Sequence, residues 1–176
     1  MKYKIYSALL LLLLTLLLVS CVTTSSQQIE PWNIQGIQYI AIMPFELIGH
    51  SNLELQTAER LHSITLRCFQ EAGFIIVEDV YAADAVFSGE LIDIMSEQQY
   101  VSSQGTAYLR YSMTMIYNYN LIRTSDNSII GKHSAHETRT HSFFLSNTQI
   151  PDREQWTMNH ATVLLNVRLR QELNIR

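Results

Sequence analysis

Residues 107–123 read "AYLRYSMTMIYNYNLIR". The odd positions carry Ala107, Leu109, Tyr111, Met113, Met115, Tyr117, Tyr119 and Leu121. The even positions carry Tyr108, Arg110, Ser112, Thr114, Ile116, Asn118, Asn120 and Ile122. Side chains alternate sides along a strand, so this period of two predicts a long β-strand. Its odd face belongs to the core and its even face is polar and wet. The turn-forming run "TSDNS" follows, and "IIGKHSAHETRTHSFF" returns as a second long strand, polar on both faces.

Upstream, "IQYIAIMPF" (37–45) lies between Gly36 and Pro44 and is apolar at both parities. That pattern predicts a central strand covered on both faces. "ELIGHSN" reads as a loop ending in a helix cap at Ser51 or Asn52, with Glu54 in the first turn. In "LELQTAERLHSITLRCFQEAG", Ala58, Leu61, Thr65, Cys68 and Ala72 recur at helical spacing opposite Glu59, Arg60, Arg67 and Gln70. Gly73 is a natural stop, and "FIIVE" (74–78) is a short buried strand. Strand, helix and strand form a βαβ unit, which calls for parallel pairing and a right-handed crossover. "DVYAAD" is a turn. "AVFSGELIDIMS" (85–96) reads as a strand with Gly89 at a bulge or close approach, and "SEQQYVSSQGT" as a polar loop. Pro151, Asp152 and Glu154 open a second helix, packed through Met158, Ala161, Leu164, Leu165 and Leu169.

The order β-α-β-β-β-β-α predicts an α+β two-layer sandwich: a four- to five-stranded mixed sheet with two helices on one face. The chain of 176 residues has room for one such domain, assigned to residues 37–176.

The N-terminal end has its own logic. Lys2 and Lys4 precede an apolar run from Ile5 to Val19 that ends in "LVSC", Leu18 to Cys21. About 15 apolar residues suit a signal peptide and fall short of a membrane span. "LVSC" resembles the bacterial lipobox. The resemblance implies cleavage before Cys21 and a diacylglycerol thioether on its sulfur, usually with an acyl group on the new amine. Residues 1–20 are then a lipoprotein signal peptide, and residues 21–36 a lipidated flexible tether. Two or more acyl chains hold a membrane stably. Val22, rather than Asp, after the cysteine is similar to an outer-membrane address. Trp32 interrupts the tether's polarity and is expected to dock on the domain, a membrane interface being the alternative seat.

Composition narrows the chemistry. Without residues 1–20, ten basic residues face sixteen acidic ones. An acidic domain is a poor general nucleic-acid binder, because that binding runs on phosphate neutralisation. Cys68 falls on the apolar side of the first helix and reads as a small buried hydrophobe. "HETRTH" falls short of HExxH, since Thr140 stands where the second histidine belongs and the segment is a strand. There His133 and His141 share one face and His136 the other, so three ligands do not converge. His50, His62 and His160 are isolated. Glu90 and Asp93, three apart on one strand, are expected on opposite faces. GxSxG and a phosphate-binding glycine loop are both absent. The reading is a non-enzyme without metal or cofactor. Its candidate contact residues are Arg110, Arg123, Lys132 and Arg139, close in sequence within one hairpin and suited to an anionic partner.

Three blocks carry a wider likeness: "IQYIAIMPFE", "ERLHSITLRCFQEAGFIIVE" and "AADAVFSGELIDI", followed by "YSMTMIYNYNL" and a terminal helix. After a lipobox this order resembles the LPS-assembly lipoprotein (LptE) family over residues 37–170. The resemblance implies a lipid-anchored protein on the periplasmic side of the outer membrane. It would be partner or plug of an LptD-like β-barrel and assist lipopolysaccharide delivery to the outer leaflet. The longer tether starting at Val22 departs from the family. The "IAIMPF…GFIIVE" opening also resembles CsgG/LpoB-like lipoproteins, which implies a secretion pore or a peptidoglycan synthase activator instead.

Overall fold

The computed structural model describes residues 31–49, 51–103, 105–146 and 149–175. Cys21, residues 22–30 of the tether and His50 lie outside them. The elements run β1 (Tyr39–Ile42), β2 (Glu46–Leu47), α1 (Asn52–Glu71), β3 (Ile75–Val77), a 3₁₀ turn (Val80–Ala82), β4 (Ala85–Ser103), β5 (Thr106–Arg123), β6 (Ile129–Phe144) and α2 (Arg153–Glu172). The sheet order is β3-β1-β4-β5-β6, with β2 also paired to β4. β1 is parallel to β3 and β4, and β4-β5-β6 is an antiparallel meander. This is the expected α+β sandwich, with β2 as an extra two-residue strand inside the segment read as a loop. Pro44 lacks an N–H and separates β1 from β2, although both pair with β4.

Both helices lie on one face. The odd residues of β5 from Leu109 to Leu121 are all buried, and the even ones are half-buried. Phe69 of α1 packs edge-on to Phe87 of β4, with centroids 5.4 Å apart. Trp156 of α2 meets Tyr111 at 5.7 Å. Each large apolar side chain fully removed from water contributes about 1.5–3 kcal/mol, so this face is where stability is concentrated.

The caps explain the helix limits. Ser51 Oγ accepts from Glu54 N at 3.1 Å and Glu54 Oε2 accepts from Ser51 N at 2.7 Å, a reciprocal capping box. Gly73 leaves α1 at a φ of +92°, where a side chain is strained. Asp152 Oδ1 accepts from Gln155 N at the start of α2. Between the helices, Arg60 donates to Asn159 and Gln155. Gly89 is a close approach: a Cβ there would overlap the Phe45 ring.

Three expectations change. Residues 96–103 are strand rather than loop, because the ladder to β5 continues to Ser103 opposite Thr106. Polar side chains disguise them, since this end of β4 buries neither face, although Leu109 and Tyr111 opposite it are core. A bulge between Leu91 and Asp93 skips Ile92, so Glu90 pairs with Asn118 and Asp93 with Ile116. Glu90 and Asp93 therefore share the helix-free side, contrary to strict alternation. The covering of β1 on both faces is partial: Ile40 and Ala41, on opposite sides, are both buried. On the side of Ala41, however, Tyr39 remains 39% exposed and Met43 41%.

Candidate functional site

The helix-free side of β4-β5-β6 is a polar surface built by register. Ser88, Asn120 and Lys132 form one cross-strand row, and Glu90, Asn118 and Ser134 the next. Further along come Met95, Thr114 and Thr138, then Glu97, Ser112 and Thr140. Neighbours bond laterally: Asn118 Nδ2 donates to Glu90 Oε2 at 3.2 Å, and the Thr114 and Thr138 hydroxyls lie 3.2 Å apart. Among the described residues no helix covers this side. Strands of 19, 18 and 16 residues make it long.

The four basic residues do not form one patch. Arg110 and Lys132 share the helix-free side, but Lys132 lies opposite Asn120, ten residues along β5 from Arg110. At about 3.3 Å per residue they stand roughly 33 Å apart. Arg110 caps the Tyr108 ring, 5.7 Å from its centroid. Arg139, opposite Met113, is on the helix side. Arg123 closes the far end of β5, where its guanidinium reaches the Gln35 carbonyl at 3.5 Å. Proximity in sequence hides this dispersal because a hairpin spreads its residues over two faces and its whole length.

The histidines divide as their parity predicts. His133 and His141 lie opposite the core residues Tyr119 and Tyr111, while His136 lies opposite Ile116 on the other side. His62 Nδ1 contacts the Met43 carbonyl, and His160 Nδ1 the Trp156 carbonyl. Among the described residues no three His, Cys, Asp or Glu side chains gather to hold a metal.

One buried polar group is not visible in the sequence. Glu172 at the end of α2 is 2% exposed. Its carboxylate accepts from Tyr119 Oη at 2.6 Å and from Arg168 Nε at 2.7 Å. Burial raises the Glu172 pKa, while the two hydrogen bonds and the Arg168 charge oppose the rise. Burial also raises Tyr119, helped by the Glu172 charge. Beside them, desolvation pushes His133 down to about 4, with the Arg168 charge adding to it. The i, i+4 spacing of Arg168 and Glu172 is a legible hint, but their burial is not. The Glu172 carbonyl also accepts from Trp32 N at 2.9 Å. The Trp32 indole packs directly over Gly131, leaving no room for a Cβ there, and edge-on to Tyr119. The expected docking of Trp32 is thus a specific seat.

A groove of about 570 Å³ runs between α2 and the helix side of β6, lined by Glu137, Arg139, His141, His160, Val163 and Val167 among others. Cys68 is buried, its Sγ 3.2 Å from Asn166 Oδ1, and burial raises its thiol to about 11, with the Glu71 charge adding to the rise. A thiol so raised is protonated and unreactive at neutral pH. Among the described residues no helix is long and apolar enough to cross a membrane.

No family model matches the chain, and no curated relative matches it. Several solved structures are similar at low identity. The PelC dodecamer from Paraburkholderia phytofirmans is 16% identical with a TM-score of 0.41, covering 76% of this chain and 87% of that one. A minor lipoprotein from Acinetobacter baumannii is 9% identical with a TM-score of 0.41, covering 78% and 89%. A lipoprotein from Neisseria meningitidis is 10% identical with a TM-score of 0.38, covering 78% and 99%.

Proposed function

We propose that the chain is a lipid-anchored envelope protein, held by Cys21 at the periplasmic side of the outer membrane. There it acts without catalysis as the partner of a β-barrel translocon in lipopolysaccharide assembly. The observation that carries this reading is the helix-free side of β4-β5-β6. A long sheet face mainly of Ser, Thr, Asn and scattered charge, interrupted by Met95 and Ile116 and apolar at its ends (Val86 with Ile122, Tyr108 with Phe144), has little to gain from burial in a core. It suits contact with a wet, hydrogen-bonding wall, as the polar interior of a barrel offers. The "LVSC" ending of the apolar leader supports the anchor. The strongly shifted groups Tyr117, Tyr119 and His133, with Glu172 beside them, are packed under α2 rather than gathered in an open cleft. That favours a contact role over an enzyme.

The test is purification of the tagged full chain from outer membranes in mild detergent. The expected result is co-purification of a large β-barrel protein together with lipopolysaccharide. Recovery of a cell-wall synthase, or of a homo-oligomeric ring without a barrel, would overturn the reading and favour the CsgG/LpoB-like alternative.

A further inference from the structure

β6 is a sheet edge: among the described residues no strand pairs with its outer side. Its 16 residues contain no proline, and from Gly131 to Phe144 the ladder to β5 runs without a register shift. Soluble proteins ordinarily blunt such an edge with a bulge, a proline, a short strand or charged side chains, because its unpaired N–H and C=O groups template another strand. The first three devices are absent along 131–144, and the charges there are Lys132, Glu137 and Arg139.

We infer that this edge is completed by β6 of a second copy of the chain, antiparallel about a twofold axis at Thr138. The charges select that register. Residues directly opposite in an antiparallel pair lie on the same side of the sheet. For both copies to keep their helices on one side, helix-side residues must meet helix-side residues. On the helix side of β6 the sequence runs Gly131, His133, Ala135, Glu137, Arg139, His141, Phe143. Glu137 and Arg139 are the full charges among them. Placing Glu137 opposite the second copy's Arg139 puts Thr138 on the axis, and the reciprocal pair forms automatically, as an isologous contact requires. Residues 132–144 of each copy then overlap.

The layer above the strand fits the same occupant. Trp32 covers the start of β6 at Gly131, but from Glu137 to His141 its helix side is uncovered and forms the floor of the groove beside α2. Val163 and Val167 stand on its wall, 56% and 50% exposed. Pairing the two edges brings the second copy's groove and valines opposite the first, so both apolar walls lose solvent together. The helix-free polar sides of β4-β5-β6 join into one surface six strands across, about 24 Å wide at 4.8 Å per strand interval. The pairing itself does not depend on the translocon reading.

The test uses the full chain in its native membrane and in detergent. Thr138→Cys is oxidised under mild conditions and analysed for the mass of the product; the parent chain is the control, because Cys68 is buried. A disulfide-linked homodimer is expected for Thr138→Cys and none for the parent. In sedimentation, Glu137→Arg alone and Arg139→Glu alone are each expected to weaken the dimer about tenfold or more, since two like-charge pairs replace two opposite ones. The double variant Glu137→Arg/Arg139→Glu restores it. A parent chain that stays monomeric, a disulfide from the Thr138→Cys variant to a different protein, or a double variant no better than the singles would each overturn the inference. Failure of the barrel co-purification alone leaves these readouts unchanged, so the two claims are separable.

Discussion

The hydroxyl of Tyr119, in the middle of β5, donates a 2.6 Å hydrogen bond to the carboxylate of Glu172 in the last turn of α2. Both side chains are out of solvent, and Arg168 bonds the same carboxylate. The pair ties the far end of the final helix to the strand whose alternation defines the fold. Tyr119→Phe removes one donor and is expected to cost about 1–3 kcal/mol. Glu172→Ala strands both Arg168 and Tyr119 and should cost more, about 3–5 kcal/mol. Urea unfolding midpoints of the two variants check the order; an equal or reversed order would contradict it.

His133 makes stability depend on pH. Its folded pKa is about 4, against about 6.5 when unfolded. Between those values the unfolded chain takes up a proton that the folded chain does not. This contribution is therefore complete above about pH 6.5 and is lost as the pH falls toward 4. It amounts to something on the order of 2–3 kcal/mol. Glu172 works in the opposite sense: its raised pKa favours the folded state at low pH, and that advantage fades as the pH rises past the ordinary carboxylate range. Comparing His133→Gln with the parent isolates the histidine. The variant should lose less stability between pH 7 and 4.5 in denaturant titrations.

Trp32 reports on the join between tether and domain. Gly131→Val places side-chain atoms where the indole sits. The expected result is a red-shifted Trp32 emission, read in a Trp156→Phe background, and faster proteolysis between residues 22 and 36. An unchanged spectrum would show that the seat tolerates a side chain.

Cys68 should resist maleimide at pH 7.5 in the folded chain and react fully in denaturant. Its thiol is buried and its pKa is raised to about 11. Rapid modification of the folded chain would contradict that burial.

The legibility of this fold follows its burial. β5 is plain in the sequence because every second residue enters the core, and α1 because Ala58, Leu61, Thr65 and Cys68 face it. Residues 96–103 are illegible as strand because their hydrogen-bond ladder, not apolar side chains, holds them in the sheet. The bulge at Ile92 is hidden because one skipped residue leaves no mark in composition, yet it moves Asp93 to the side of Glu90. The same limit applies to the site. Arg110, Arg123, Lys132 and Arg139 are neighbours in a hairpin, but strand alternation and length place them on two sides and at both ends. Glu172 looks like an ordinary helix-end carboxylate, and only the closure of α2 over Tyr119 reveals its burial.

Cys21 carries the proposed location. Cys21→Ser is expected to leave the precursor unprocessed and absent from the outer membrane. Normal, globomycin-insensitive processing of the parent chain to an outer-membrane form would contradict lipidation.

The most direct test of the proposed role is site-specific photo-cross-linking in living cells from Ser112 and Ser134, on the helix-free side, compared with Glu59, exposed on α1. The account predicts that Ser112 and Ser134 label an integral outer-membrane β-barrel protein and that Glu59 does not. Equal labelling from both faces, or no barrel adduct from either serine, would contradict it.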